Sequence, residues 1–339
     1  MNQNRDEWID ALKGWGMVLI VVGHVWSLTD MSPMYQWIYA FHVPLFFFAA
    51  GLTFKTRPDS TWFLLRYRAP ALLIPYFVFG LLGYVFYVAG YVIAHEFGLR
   101  ISQFDYGLIR PLLGIMYGSV GDGLLVNSPL WFIPALLICT ALVHTINRHV
   151  SNVYGRYAIS FLAFALGVWL GEWVKMPWSL GPALTAVLFM QLGIDLKKYL
   201  SISNEKPLLT LFLIFFIISL FAGQVNGGAL QSVPQLNNPM WFLFFAFIGI
   251  GLSLVWVLLP LGQPSWICMI GRNSLSIMVL HMLVIKSVKV GLSLMTAQNM
   301  QSLETNIWWG LLVIILSALL LWPLVMSVNR WLPWVLGRK

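Results

Sequence analysis

Long apolar runs separated by short polar connections organise this chain, with no sustained alternation of apolar and polar residues. Ten runs stand out, at 12–29, 35–54, 70–94, 129–146, 155–174, 177–195, 207–224, 239–259, 269–290 and 306–328. Each approaches the roughly 20 mostly apolar residues that a helix needs to cross a bilayer. Lipid admits only helices and closed barrels, and the missing period-two pattern excludes barrel strands. The predicted fold class is therefore all-α, a polytopic membrane bundle of about ten transmembrane helices forming a single domain over 1–339. The stretch 96–128 interrupts the pattern with Asp105, Arg110, Pro111, Asp122 and several glycines, and reads as an external loop, partly re-entrant.

Composition agrees. Apolar residues make up 59% of the 339 positions and charged residues 9%, against about 25% charged in a soluble domain. A water-facing surface cannot be built from such a chain. The net charge of +8 invites nucleic acid as a partner, but the positions of the charges point to the lipid bilayer instead. With the N-terminus inside, cytoplasmic segments hold Arg5, Lys13, Lys55, Arg57, Arg66, Arg68, Arg148, Arg156, Lys197, Lys198, Lys206, Arg272, Arg330, Arg338 and Lys339. External segments hold only Arg100, Arg110, Lys175, Lys286 and Lys289. This bias follows the positive-inside rule and places both termini in the cytoplasm. Arg5, Asp6, Glu7, Asp10 and Lys13 precede an apolar run without a small-residue cleavage site, so the first run reads as a retained helix rather than a signal peptide. Cys139 and Cys268 lie far apart in apolar surroundings and form neither a disulfide framework nor a metal-ligand pattern.

Ionisable groups within a bilayer are costly, so each is a candidate for function. His24, His42 and His281 fall within predicted helices. Lys13 and His24 are eleven residues apart, about 20° short of or beyond whole turns and roughly 16 Å along the axis, so they share one helical face. Asp10 lies one turn before Lys13 on the same side and can fix it. Gly14, Gly16 and Gly23 beside this stripe permit close helix approach. His281, nine residues past Arg272, reaches about 14 Å in from the same side. His42 enters from the opposite side, in a segment loosened by Pro44 and Gly51; a packing role suits it as well as a functional one. Lys13 could equally be a basic residue snorkelling to headgroups.

Two imidazoles at one depth suit proton abstraction from a hydroxyl better than metal binding, since no third ligand of the usual kind is evident and no metal is expected. Arg66, Arg68, Arg148, Arg156, Lys197 and Lys198 could neutralise the phosphates of an anionic ligand through charge-assisted hydrogen bonds, or could serve only topology and anionic headgroups. Two rivals remain. One is a proton-coupled transporter using His24, His42 and His281 as a relay, although the spans lack deep carboxylates and no inverted repeat is visible. The other is a non-catalytic subunit that presents a lipid-linked glycan to a partner.

Lys13 and His24 form a Lys-x10-His pair that resembles the first-helix signature of the acyltransferase 3 family. WIDALKG with GH at 23–24, FHVPLFFFAAG at 41–51, LLIPY at 72–76, PLWFIPAL at 129–136 and GRNSLSIMVLH at 271–281 are similar to other segments of that family, in order. The fucose 4-O-acetylase-like subgroup is the nearest in pattern, and the likeness extends from about residue 5 to 330. The resemblance implies a ten-helix bundle in the bacterial cytoplasmic (inner) membrane. It implies a transfer of acetyl from acetyl-CoA to the hydroxyl of a carbohydrate or lipid-linked glycan, with no nucleic acid involved. It also implies Lys13 and His24 as catalytic candidates and Arg66 and Arg68 as donor contacts; the reading of the residues themselves adds Asp10 beside the catalytic pair, and His281 and His42 as substrate-binding residues of the same cavity. Lysine stands here where the family often has arginine, and Arg66 and Arg68 are separated by one residue rather than two. A point charge thus replaces a planar fork.

Overall fold

A computed structural model describes the chain apart from residues 1–6, 27–32, 56–59, 97, 99–101, 121–123, 125, 201–204, 234, 297 and 339. Arg5, Asp6, Arg57, Arg100, Asp122 and Lys339 lie outside the described residues, as does the side chain of Lys206. The protein is all-helical, with no strand among the described residues. In chain order the α-helices are α1 (Glu7–Gly23), α2 (Pro33–Tyr39), α3 (His42–Leu52), α4 (Thr61–Glu96), α5 (Ile109–Tyr117), α6 (Phe132–His149), α7 (Val153–Trp173) and α8 (Leu180–Leu196). They continue with α9 (Glu205–Ser219), α10 (Ala222–Asn226), α11 (Pro239–Leu258), α12 (Ser265–Arg272), α13 (Ser274–Thr296), α14 (Met300–Thr305) and α15 (Ile307–Trp331).

Among the described residues, eight helical stretches are long and apolar enough to cross a membrane: α4, α6, α7, α8, α9 joined to α10, α11, α13 and α15. They make this a multi-pass membrane protein. Four of them, α6, α8, α11 and α13, have 61–67% of their apolar window buried in the protein, whereas α7, α9 and α15 have only 17–22%. The first group forms the inner bundle around α1 and α3, and the second turns most of its apolar surface outward, where lipid is the matching solvent. Leu12, Phe47, Phe48, Ile133, Phe189 and Val279 are among the fully buried side chains of the core.

Several elements differ from the sequence expectation. The run 35–54 is two helices, broken at Ala40–Phe41. Pro44 occupies the first turn of α3, where its missing N–H leaves no intrahelical bond unmade, so the run restarts there rather than bending. The run 269–290 is likewise split at Asn273, and its second part continues to Thr296. Lys286 and Lys289, expected at an external end, therefore stand within α13. Helix α4 begins at Thr61, nine residues before the apolar run, so Arg66 and Arg68 ride on helix rather than on a connection. The 96–128 stretch is not simply a loop. It carries α5, whose Ile115 carbonyl accepts a 2.6 Å hydrogen bond from Tyr76 of α4.

Close approaches fix the inner helices. A Cβ at Gly14 would run into the Ile267 carbonyl of α12, and one at Gly271 into the Asp10 carbonyl of α1. Gly51 and Gly193 play the same reciprocal part between α3 and α8. Backbones this close maximise dispersion contacts, the main cohesive term between helices in lipid. Polar ties gather at the end of the bundle marked by the basic residues. Arg272 Nε reaches Asp10 Oδ2 at 3.2 Å and Arg156 reaches Asp195 at 3.0 Å. Thr61 bonds both Thr145 and His144.

Candidate active site

One stripe, running along α1 and onto the residue after it, lines two adjoining cavities. Lys13, Met17, Ile20 and His24 contribute to their walls, at intervals of four, three and four residues that keep side chains on one helical face. The wide cavity, about 400 Å³, lies towards the basic end and is also lined by Arg68 and Tyr67 of α4, Ala50 of α3 with Thr53 just after it, and Thr140 of α6. The narrow cavity, about 40 Å³, holds His24 and His42 together with Trp131. Phe46, Phe132 and Met278 line both and stand at the neck between them.

His24 is the first residue after α1, in a turn where its N–H still bonds the Ile20 carbonyl at 3.1 Å. The expectation that it lies inside a longer first helix is corrected accordingly. The end of the helix releases the side chain from the crowded helical surface and lets other elements surround it. His281 of α13 comes within 5.3 Å of it, ring centre to ring centre. Tyr39, the last residue of α2, brings its hydroxyl to 3.4 Å from His24 Nδ1. Tyr39 also packs edge-on against His42 at 4.5 Å and stacks on Tyr35 at 3.8 Å. The break between α2 and α3 makes this possible, since it places Tyr39 and His42 on either side of a bend.

Hydrogen bonding fixes the tautomers of two imidazoles. His42 Nδ1 lies 2.9 Å from the Ile38 carbonyl, and His281 Nδ1 lies 2.9 Å and 3.1 Å from the Met278 and Ile277 carbonyls. A carbonyl only accepts, so in each neutral ring Nδ1 carries the hydrogen and Nε2 keeps the lone pair. His281 is fully buried, and its Nε2 has no partner among the described residues. A buried acceptor without a donor is rare in a native core; His281 itself lines neither cavity and meets the site through the His24 ring.

The other expected residues are distributed as follows. Asp10 is buried and its carboxylate holds Arg272, which also reaches Glu7 at 3.3 Å; this clamp ties α1 to α12 beneath the cavity mouth. Arg68 lines the cavity with its guanidinium 5.6 Å from the Phe54 ring centre. Arg66 is exposed and outside the cavity lining, because two residues along a helix turn a side chain by about 200°. His144 bonds Thr61 and packs near Phe54, apart from the imidazole cluster. Among the described residues, no three His, Cys, Asp or Glu side chains converge as metal ligands.

Sequence reasoning missed Tyr39 and the neck residues. An aromatic at the end of a span is commonplace, and only the helix break brings this one onto His24. The comparisons with curated proteins and with solved structures gave no match. The family model of the acyltransferase domain, that of acyltransferase 3, matches residues 6–326. That match takes in α1 with its Lys13–His24 stripe, the imidazole cluster and the whole inner bundle, and on it the chain belongs to the acyltransferase 3 family of membrane acyltransferases.

Proposed function

We propose that the protein moves an acetyl group from acetyl-CoA to a carbohydrate hydroxyl, as in the fucose 4-O-acetylase-like subgroup, within the bacterial cytoplasmic membrane. The observation that carries this reading is the pair of adjoining cavities, with Lys13 and Arg68 lining the wide one and His24 and His42 the narrow one. The basic end faces the cytoplasm, where CoA is. Lys13 and Arg68 meet the CoA phosphates through charge-assisted hydrogen bonds, while the apolar walls take the pantetheine arm and lead the thioester inward. Roughly 16 Å of helix separates Lys13 from His24, so one extended donor spans both.

His24 is the general base. As the acceptor oxygen attacks the thioester carbonyl, its proton passes to His24; the C–S bond then breaks, and the proton follows the departing CoA sulfur. No net charge accumulates in the bilayer. The His281 ring beside His24 shares the positive charge that develops in between, and the Tyr39 hydroxyl holds His24 in orientation. General-base catalysis contributes about 10²–10⁴-fold.

The test uses purified protein in proteoliposomes with acetyl-labelled acetyl-CoA and an oligosaccharide acceptor. Label should enter the acceptor with the wild-type protein and fall at least about a hundredfold with His24→Ala. A His24→Ala protein that inserts, folds and keeps full activity would rule the mechanism out.

A further inference from the structure

The narrow cavity beside His24 imposes a size on whatever enters it. A water-sized group needs roughly 10–15 Å³ of such space, so about 40 Å³ accepts about three of them. An acetyl group, with its methyl, its carbonyl carbon and its carbonyl oxygen, fills that room. Propionyl and butyryl groups add carbons for which there is none.

The walls divide into two sets. Phe46, Phe132 and Met278 belong to both cavities, whereas Ile20, Val43, Pro129 and Trp131 line the narrow one alone. The second set therefore stands beyond the neck, where the end of an inserted acyl chain arrives. Trp131 is the bulkiest of these four side chains, and Val43 lies on α3 next to His42.

Trp131 is also firmly held. It ends a short 3₁₀ turn, Ser128–Trp131, that leads straight into α6, and it is buried. Its ring packs edge-on against Phe132 at 6.1 Å. The chain just before the turn is pinned to α13 by two hydrogen bonds. Asn127 Nδ2 donates to the Val279 carbonyl at 2.9 Å, and Lys286 Nζ donates to the Val126 carbonyl at 3.2 Å. A wall tied in this way cannot retreat freely before a longer chain, because close-packed interiors transmit strain rather than absorb it.

Charge adds a second restriction. The lining of the narrow cavity contains no lysine or arginine and is apolar apart from the two imidazoles. A succinyl group is too long for it, and its carboxylate would also be stripped of water with no cation to meet it.

We infer that Trp131 and Val43 are the residues that set acyl length, admitting an acetyl group and turning away propionyl, butyryl and succinyl groups. The inference rests on the acyl-transfer reading above and adds which side chains choose the acyl group.

The test supplies acetyl-, propionyl-, butyryl- and succinyl-CoA in turn to the full-length protein in proteoliposomes, with an oligosaccharide acceptor. Acceptor-dependent release of the CoA thiol gives kcat/KM for each donor. One methylene in a shaped apolar pocket changes such a ratio by about 10–200-fold. The wild-type protein should therefore favour acetyl-CoA over propionyl-CoA by at least about tenfold, and over butyryl-CoA by about a hundredfold or more. Trp131→Phe, which shortens the wall and keeps it aromatic, should raise the butyryl-to-acetyl ratio about tenfold and leave succinyl-CoA unused. Val43→Ala, a smaller change, should move the ratio in the same direction and serves if Trp131→Phe does not fold. Each ratio compares two donors on one protein, so a general loss of active protein does not move it.

Equal use of acetyl- and butyryl-CoA by the wild type, or a ratio that neither substitution moves, would overturn the inference and leave the acyl-transfer reading standing. A Trp131→Phe protein that takes succinyl-CoA as readily as butyryl-CoA would also overturn it, since that is loosening of the whole site. No release from any donor by a folded wild-type protein would refute the acyl-transfer reading, and this inference with it.

Discussion

Replacing Tyr39 by phenylalanine separates two roles for the hydroxyl beside His24. The substitution keeps the ring that stacks on Tyr35 at 3.8 Å and packs against His42 at 4.5 Å, so the cluster's packing is preserved. It removes the hydroxyl, and with it the 3.4 Å contact to His24 Nδ1 and the side-chain hydrogen bond shared with Tyr35. A typical hydrogen bond contributes a net 0.5–1.5 kcal/mol or so, and the one to His24 is at the long end of the accepted range. About 0.5–1 kcal/mol is therefore at stake, which corresponds to roughly a two- to fivefold loss of rate. The assay is labelled acetyl transfer in proteoliposomes, reading kcat and the KM for acetyl-CoA separately, with thermal unfolding in detergent to exclude general damage. The loss should fall on kcat, because Tyr39 orients the base and does not touch the donor. A loss above about a hundredfold would mean that Tyr39 itself handles the proton, and an unchanged kcat would mean that its hydroxyl does not orient His24. Either result refutes the assignment of a modest orienting role.

Three further outcomes follow from the geometry. Arg68→Ala should raise the KM for acetyl-CoA about tenfold, through loss of a charge-assisted contact, whereas Arg66→Ala, exposed and outside the cavity lining, should leave it unchanged; equal effects from both would contradict the placement of the donor. Gly271→Val drives a side chain into the Asp10 carbonyl and should cost about 1–3 kcal/mol as an overpacked site, seen as a lower Tm in detergent; an unchanged Tm would show that α1 and α12 can separate freely. Met278→Trp should close the neck between the two cavities and abolish transfer while donor binding persists, since Lys13 and Arg68 lie on the near side; full activity would mean that the thioester does not pass this way.

The Lys13–His24 stripe was legible in the sequence because both residues belong to one stretch of chain, where helical geometry alone sets their angle and spacing. Met17 and Ile20 fill the same face and could have been named by the same arithmetic. The meeting of His24 with His281 was legible only as equal depth, since the distance between two helices depends on packing. Gly14 and Gly271 signalled close approach without naming each other. What the apolar pattern hid was the first of two breaks. Continuous hydrophobicity across Ala40–Phe41 reads as uninterrupted helix, since lipid-facing and core-facing residues are equally apolar and the pattern cannot register a bend; at Asn273 the polar run Gly271-Arg272-Asn273-Ser274 did mark the break and was read through as helix. The placement of Tyr39 depends on the first of these breaks and was hidden with it, and the position of Lys286 follows from α13 continuing to Thr296. Asp10 was expected to fix Lys13, whereas its carboxylate holds Arg272, 262 positions away, and an ion pair of that separation leaves no local trace.

The central claim is that the sulfur of a bound CoA donor reaches residue 24 through the neck. Its most direct measurement places a cysteine there (His24→Cys) with Cys139 and Cys268 replaced by alanine, and treats the protein with the mixed disulfide of CoA and thiopyridine. Thiol–disulfide exchange should attach CoA to position 24, seen as the added mass of CoA on the intact protein, and Met278→Trp or excess CoA should prevent it. A cysteine at position 24 that a small methanethiosulfonate reagent modifies readily, but that CoA never reaches, would contradict the account.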